Sequence, residues 1–361
     1  MSVTLSILQK LQILLVRVAI APFLLMDLLA GNALPRSYTR TFAKVLLVGL
    51  SIGLIYAPLR KSSPMVSYNK NLSLWQSYVT KRIYGQPIQS VSGTGMDVLG
   101  TVGRRSAPVI VQKIAFPFIT AKGHLVIDTE TDKVLSEHNM SRTFAPASTT
   151  KLMTALVAVD LYSEGETVEI SSFCSEVDST KLWMPVGSKY TVRNMLYSLL
   201  VSSAGDAGCA LAMGKVSLET FVDLMNKKAE EIGMTNTHFT NVVGLDGEEG
   251  SHYSSVWDLY LLSKKALRDP LIREIVRTKD FSFTDVTGKY TVNLSNTNQL
   301  LWDIPKTVGV KTGRTSGAGE VLIYRYQDEK KDFTIIVMSS EDRFLDTRNL
   351  INWTLSSYQW L

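Results

Sequence analysis

Beyond residue 116 the apolar positions fall into two regimes. His124-Leu125-Val126-Ile127-Asp128 and Lys133-Val134-Leu135 read as two strands, and the polar Thr129-Glu130-Thr131-Asp132 between them predicts a hairpin. After Pro146 the spacing changes. Leu152, Leu156 and Val159 recur at three and four, which predicts a helix with one apolar face. Tyr197 to Val201 is an apolar helix end, Ser202 to Ala207 a polar break, and Cys209 to Met213 a return to helical character. Val308 to Thr315, Val321 to Tyr324 and Phe333 to Met338 are strand-like again. The expected fold class is α+β: a mostly antiparallel sheet flanked by helices, with a helical subdomain from about Ser148 to Leu267 between early and late strands.

The front of the chain follows neither regime. Val45 to Leu59 is apolar apart from Ser51 and, with Phe42 and Ala43, approaches the length of a bilayer crossing. It predicts a transmembrane helix over about 43–59, with Lys44, Arg60 and Lys61 snorkelling to the interface. A secretory signal peptide is the rival reading; the position far into the chain and the lack of a small-residue cleavage site argue against it. Residues 11–30 form a second apolar stretch, interrupted by Arg17 and Asp27. A charge at a helix centre costs roughly 2.5–3.5 kcal/mol on insertion scales. This stretch therefore reads as an interfacial helix or a poor second span. Arg36, Arg40 and Lys44 mark the cytoplasmic side, so everything after Leu59 is expected outside the cell. Residues 60–115, rich in Ser, Gly, Asn and Gln, read as an extracytoplasmic tether reaching roughly 40 Å as a flexible coil. The folded domain is then expected over 116–361.

Charge sharpens this division. The chain of 361 residues carries a net +5, but residues 1–115 hold 13 Lys or Arg against Asp27 and Asp97 alone. The remainder holds 25 basic and 31 acidic residues. The basic excess sits beside the apolar stretches, as suits an anionic membrane surface. No basic block interleaved with aromatics occurs in the acidic part, so nucleic-acid binding is not expected. His124, His138, His238 and His252 are scattered without ligand-like spacing; neither a metal site nor a cofactor is expected. Cys174 and Cys209 read as buried free thiols, since nothing in their spacing demands a disulfide.

The candidate chemistry lies in three places. In Ser148-Thr149-Thr150-Lys151 a serine and a lysine three apart share one helix face, where a lysine amine can act as the base that activates a hydroxyl. Ser148 falls near the first turn, beside free backbone N–H groups. Lys151 lies one turn in, where desolvation lowers a lysine pKa. Ser203, in the polar break, can aim a hydroxyl into a cleft. Lys311-Thr312-Gly313 places a cation, a hydroxyl and bare backbone along one strand edge that can pair with an extended peptide.

With these motifs the chain resembles the penicillin-binding proteins and class A β-lactamases, and more closely the D-alanyl-D-alanine carboxypeptidases. The resemblance covers about residues 116–348. It rests on Leu125 to Asp128, Pro146 to Lys151, Asn241 to Leu245, Asn296-Thr297-Asn298 with Leu300-Leu301, and Gly309 to Gly319, in matching order and spacing. It implies a β-lactamase/transpeptidase-like fold and a serine-type carboxypeptidase acting on peptidoglycan stem peptides. Ser148 would attack the D-Ala-D-Ala carbonyl, Lys151 would take its proton, and Ser203 would relay a proton to the leaving amine. Lys311 and Thr312 would hold the substrate carboxylate, with Arg348 as a further candidate. The backbone N–H groups of Ser148 and Arg314 would form the oxyanion hole. β-Lactams would trap the same serine.

Two departures qualify the resemblance. The family pattern puts Asn two residues after the second-motif serine, and here Gly205 stands there. That leaves two other expectations beside the carboxypeptidase: a D,D-endopeptidase, or a catalytically impaired binder of cell-wall peptides. No Glu is recognisable as a deacylating base, which argues against a β-lactamase. The chain ends soon after Trp353, so the additional β domain of some relatives is not expected, and anchoring is expected at the front.

Overall fold

The computed structural model describes residues 106–361. The apolar stretches 11–30 and 43–59 and tether residues 60–105 lie outside the described residues. The elements in chain order are β1 (Val109–Ile110), β2 (Gly123–Asp128), β3 (Val134–His138), α1 (Lys151–Leu161), β4 (Thr167–Glu169), α2 (Ser172–Ser175), β5 (Lys189–Thr191), α3 (Val192–Val201), α4 (Gly205–Met213), α5 (Leu218–Ile232), α6 (Val256–Ala266), α7 (Pro270–Arg277), β6 (Asp280–Thr284), β7 (Thr291–Ser295), α8 (Leu300–Asp303), β8 (Thr307–Thr315), β9 (Gly319–Gln327), β10 (Asp332–Ser340), α9 (Arg343–Ser357) and β11 (Tyr358–Gln359). A 3-10 turn at Ala147–Thr150 leads directly into α1.

The main sheet has the order β3-β2-β10-β9-β8, and every neighbouring pair is antiparallel. The predicted early hairpin is present, and β2 joins it to the late strands by pairing Leu125 with Ile336 and Ile127 with Thr334. Strand β8, which carries Lys311-Thr312-Gly313, is therefore an edge.

Period-two alternation gives the sheet two buried faces. Val126, Leu322, Tyr324, Ile335 and Val337 form one core with Leu350 and Ile351 of α9. Leu125, Ile127, Ile323 and Ile336 point the other way and are equally buried, on the side where α6 crosses β2, β9 and β10. Each such aliphatic contributes about 1.5–3 kcal/mol by leaving water. Helix starts are set locally: the side chains of Thr191, Ser217, Ser255 and Asp269 accept from backbone N–H groups of α3, α5, α6 and α7.

Three expectations need correction. The folded domain begins before residue 116, because β1 pairs with β11, Lys133 Nζ donates to Pro108 O at 2.7 Å, and Phe116 packs edge-on against Trp353. Backbone bonds hold this segment, while the Val109, Ile110 and Val111 side chains stay exposed, so apolar periodicity gives no sign of it. Cys174 and Cys209 are not free thiols. They form a disulfide that ties α2 to α4, with Cα atoms 5.3 Å apart. Its sequence separation of 35 residues corresponds to roughly 3–4 kcal/mol in the loop-closure picture. Finally, the region expected to be helical also holds a small hairpin, β4–β5, and a second, β6–β7, follows it before β8.

Candidate active site

The 3-10 turn carrying Ser148 is fixed from several sides. Thr149 Oγ1 donates to Pro146 O at 2.6 Å, and Thr154 Oγ1, one turn into α1, donates to Val242 O at 2.6 Å. Thr150 Oγ1 lies 2.8 Å from His252 Nε2. The backbone N–H of Thr240 donates to His252 Nδ1 at 3.0 Å, which assigns the remaining ring proton to Nε2, so His252 donates to Thr150. Burial lowers the His252 pKa to about 4 and keeps this ring neutral. Ala147 and Thr149 are buried on either side of Ser148, which stays partly exposed.

Two glycines permit the close approach around this turn. Gly244 sits at φ +85°, and a Cβ there would fall 1.9 Å from Ala147 O. The loop bearing it is shaped by Asn241 Oδ1, which accepts from the N–H groups of Val243, Gly244 and Leu245. That loop presents the Val243 carbonyl to Lys151. On the opposite side, a Cβ on Gly313 would meet Ala147 Cβ and Ser148 N at 2.9 Å. The edge strand β8 thus runs directly against the nucleophile turn.

Lys151 is fully buried. Its Nζ lies 2.9 Å from Ser148 Oγ, 2.7 Å from Val243 O and 3.3 Å from Ser179 Oγ. Desolvation lowers its pKa to about 7, against a smaller upward pull from the Asp206 charge. Asp206 is itself buried in the first turn of α4 and accepts from the N–H groups of Ala207, Leu182 and Met184.

Ser203 adopts φ +60°, a backbone region that non-glycine residues rarely occupy, and aims its Oγ at Lys311 Nζ, 3.0 Å away. Lys311 is buried, and its pKa falls well below the lysine range through burial, the Lys151 charge and the Arg343 charge. Among the described residues no carboxylate lies within salt-bridge distance of Lys311; its partners are Ser203 Oγ and Thr312 O. Thr312 Oγ1 meets Thr297 Oγ1 at 2.6 Å. Arg314 is exposed at the end of β8.

Ser148, Lys151, Ser203, Lys311, Thr312 and Gly313 are therefore brought together where β8 meets the nucleophile turn. Arg348 does not join them; its guanidinium pairs with Asp303. The α9 arginine that reaches β8 is Arg343, about 7.5 Å earlier along the helix axis, whose Nη1 donates to Gly313 O at 3.0 Å. In a planar trans peptide the carbonyl and the following N–H point in opposite directions. Arg343 thus turns the Arg314 N–H away from itself. Nothing in the sequence pattern distinguishes Arg343 from Arg348, because the choice depends on where α9 starts.

Residues 110–342 match the sequence profile of the D-alanyl-D-alanine carboxypeptidases. The D-alanyl-D-alanine carboxypeptidase DacF of Bacillus subtilis is 36% identical over 248 residues, covering 66% of this chain and 63% of the relative. DacB2 of Mycobacterium tuberculosis is 30% identical over 210 residues, covering 58% of this chain and 72% of the relative. The chain thus spans under two thirds of the length of the Bacillus relative. Among solved structures, the Streptomyces K15 DD-transpeptidase aligns with a TM-score of 0.63 at 28% identity, over 66% of this chain and 98% of that one. A D-alanyl-D-alanine carboxypeptidase from M. tuberculosis H37Rv aligns with a TM-score of 0.64 at 27% identity, over 70% and 99%. Profile, relatives and fold agree, and the chain belongs to the D-alanyl-D-alanine carboxypeptidase family.

Proposed function

We propose that this protein is a membrane-anchored serine-type D-alanyl-D-alanine carboxypeptidase that trims peptidoglycan stem peptides. The observation that carries the reading is the buried Lys151 amine, 2.9 Å from Ser148 Oγ and with a pKa near 7. An amine uncharged near neutral pH can take the Ser148 proton as the oxygen attacks the carbonyl carbon of the terminal D-Ala-D-Ala bond. The oxyanion that forms would be met by the N–H groups of Ser148 and Arg314; such donors are typically worth about 2.7–4 kcal/mol each. Collapse of the intermediate breaks the C–N bond. The departing amine takes a proton relayed through Ser203, and water then hydrolyses the acyl-Ser148 ester. Lys311, a buried amine beside the Ser203 hydroxyl with no carboxylate partner among the described residues, would gain one from a carboxylate-terminated substrate, whose charge favours the protonated amine. The edge position of β8 leaves backbone groups for an extended peptide.

Incubation with benzylpenicillin tests this. One acyl adduct per chain is expected by intact mass, located on Ser148 and absent in Ser148→Ala. Folded protein without an adduct would favour the catalytically silent binder. Transpeptidation, with an amine in place of water as acceptor, is the second reading; the likeness to the Streptomyces K15 DD-transpeptidase motivates it.

The anchoring part of the proposal rests on the apolar 43–59 stretch and the basic excess of residues 1–115. The Cys174–Cys209 bond fits an oxidising, extracytoplasmic setting. The full chain should sediment with membranes and resist carbonate extraction, and a variant lacking residues 1–59 should be released. Release of the full chain by carbonate would refute anchoring.

A further inference from the structure

The Gly205 site is not empty space. A Cβ built there would lie 2.5 Å from Ser179 Cβ and 2.7 Å from Ser179 Oγ. A residue 26 positions earlier in the chain thus fills the volume that a side chain at 205 would need. Its segment is pinned in place. Gly205 N–H donates to Thr180 O at 2.6 Å, Asp206 accepts from Leu182 and Met184, and the Cys174–Cys209 bond ties α2 to α4 just upstream.

A count of protons gives Ser179 a task. An uncharged lysine amine has two N–H bonds and one lone pair. Three oxygens surround Lys151 Nζ: Val243 O at 2.7 Å, Ser148 Oγ at 2.9 Å and Ser179 Oγ at 3.3 Å. The carbonyl can only accept, so it takes one N–H. If the Ser179 oxygen takes the second, the lone pair is left for the Ser148 O–H. If Ser179 is absent, the second N–H has only Ser148 Oγ to bond, and the amine presents a donor where the reaction needs an acceptor.

We propose that Ser179 is a positioning residue: its hydroxyl occupies the place of a side chain at 205 and holds the Lys151 amine with its lone pair on Ser148. The proposal rests on the acylation of Ser148 described above and adds to it a residue from a separate segment. It accounts for Gly205 as the counterpart of Ser179, since only glycine leaves room for it.

The test is benzylpenicillin acylation of the full chain, resolved into the non-covalent dissociation constant and the acylation rate constant. Ser179→Ala should lower the rate constant roughly tenfold, with the dissociation constant and melting temperature unchanged. Gly205→Asn alone should also be slow, because the new side chain displaces Ser179. Adding Ser179→Gly to Gly205→Asn should restore much of the rate, since the amide oxygen can then accept from Lys151. Ser179→Ala acylating at the wild-type rate, or losing affinity and melting temperature together with rate, would overturn the proposal. So would Gly205→Asn reacting faster than wild type. If wild-type protein forms no adduct, the acylation reading itself fails and this proposal falls with it; wild-type acylation with indifferent Ser179 variants would remove the proposal alone.

Discussion

Replacing Lys151 with methionine is expected to lower acylation of Ser148 by benzylpenicillin on the order of a thousandfold, while the melting temperature shifts by only a few degrees. General-base assistance is worth about 10²–10⁴ in rate, and no other titratable group lies within hydrogen-bond distance of Ser148 Oγ among the described residues. Methionine keeps the apolar stem that packs in α1 and removes a buried amine whose charged form is disfavoured. Its cost is the hydrogen bond to Val243 O, about 1 kcal/mol. A stopped-flow acylation trace beside a thermal melt separates the two roles. A variant that acylates within a few-fold of wild type would exclude Lys151 as the base, and one that unfolds would make it structural.

The second large effect is expected at Gly244. Gly244→Ala should destabilise the protein by roughly 3 kcal/mol or more and lower acylation in the fraction that remains folded, by displacing the nucleophile turn. Two costs combine. The residue sits at φ +85°, and the new methyl would meet Ala147 backbone at 1.9 Å, a contact that no side-chain rotation relieves. Gly233 supplies the control. It ends α5 at φ +86° with nothing within 4 Å of its Cβ position, so Gly233→Ala should cost only about 1 kcal/mol and leave acylation unchanged. Denaturant titration of the pair measures the difference. Equal losses would show that backbone conformation, and not the contact with the Ser148 turn, governs Gly244.

Much of this site could be read before any coordinates. Ser148 and Lys151 are three apart, so helical geometry alone brings them together. The long strands β8, β9 and β10 announce themselves by runs of buried β-formers. The β6–β7 hairpin carries a similar signal in the alternation of Phe281 with Phe283 and of Val292 with Leu294, beyond the region expected to be helical. Other features depend on tertiary placement and leave no local signal. Cys174 and Cys209 meet only because α2 packs on α4. Ser179 reaches Lys151 through a loop held by backbone bonds, and Val243 contributes a carbonyl that any residue could supply. Arg343 differs from Arg348 solely in its position along α9. Sequence motifs thus located the reacting groups, while the groups that orient them come from segments joined by folding.

The central claim is that an uncharged amine at Lys151 activates Ser148, and the rate of benzylpenicillin acylation as a function of pH tests it most directly. With the amine's pKa lowered to about 7, its base form is the minor species below that pH. The rate should therefore rise about tenfold per pH unit on the acid side and level off above pH 7. A rate that ignores pH through this range, or that keeps climbing toward the ordinary lysine value of 10.5, would contradict it.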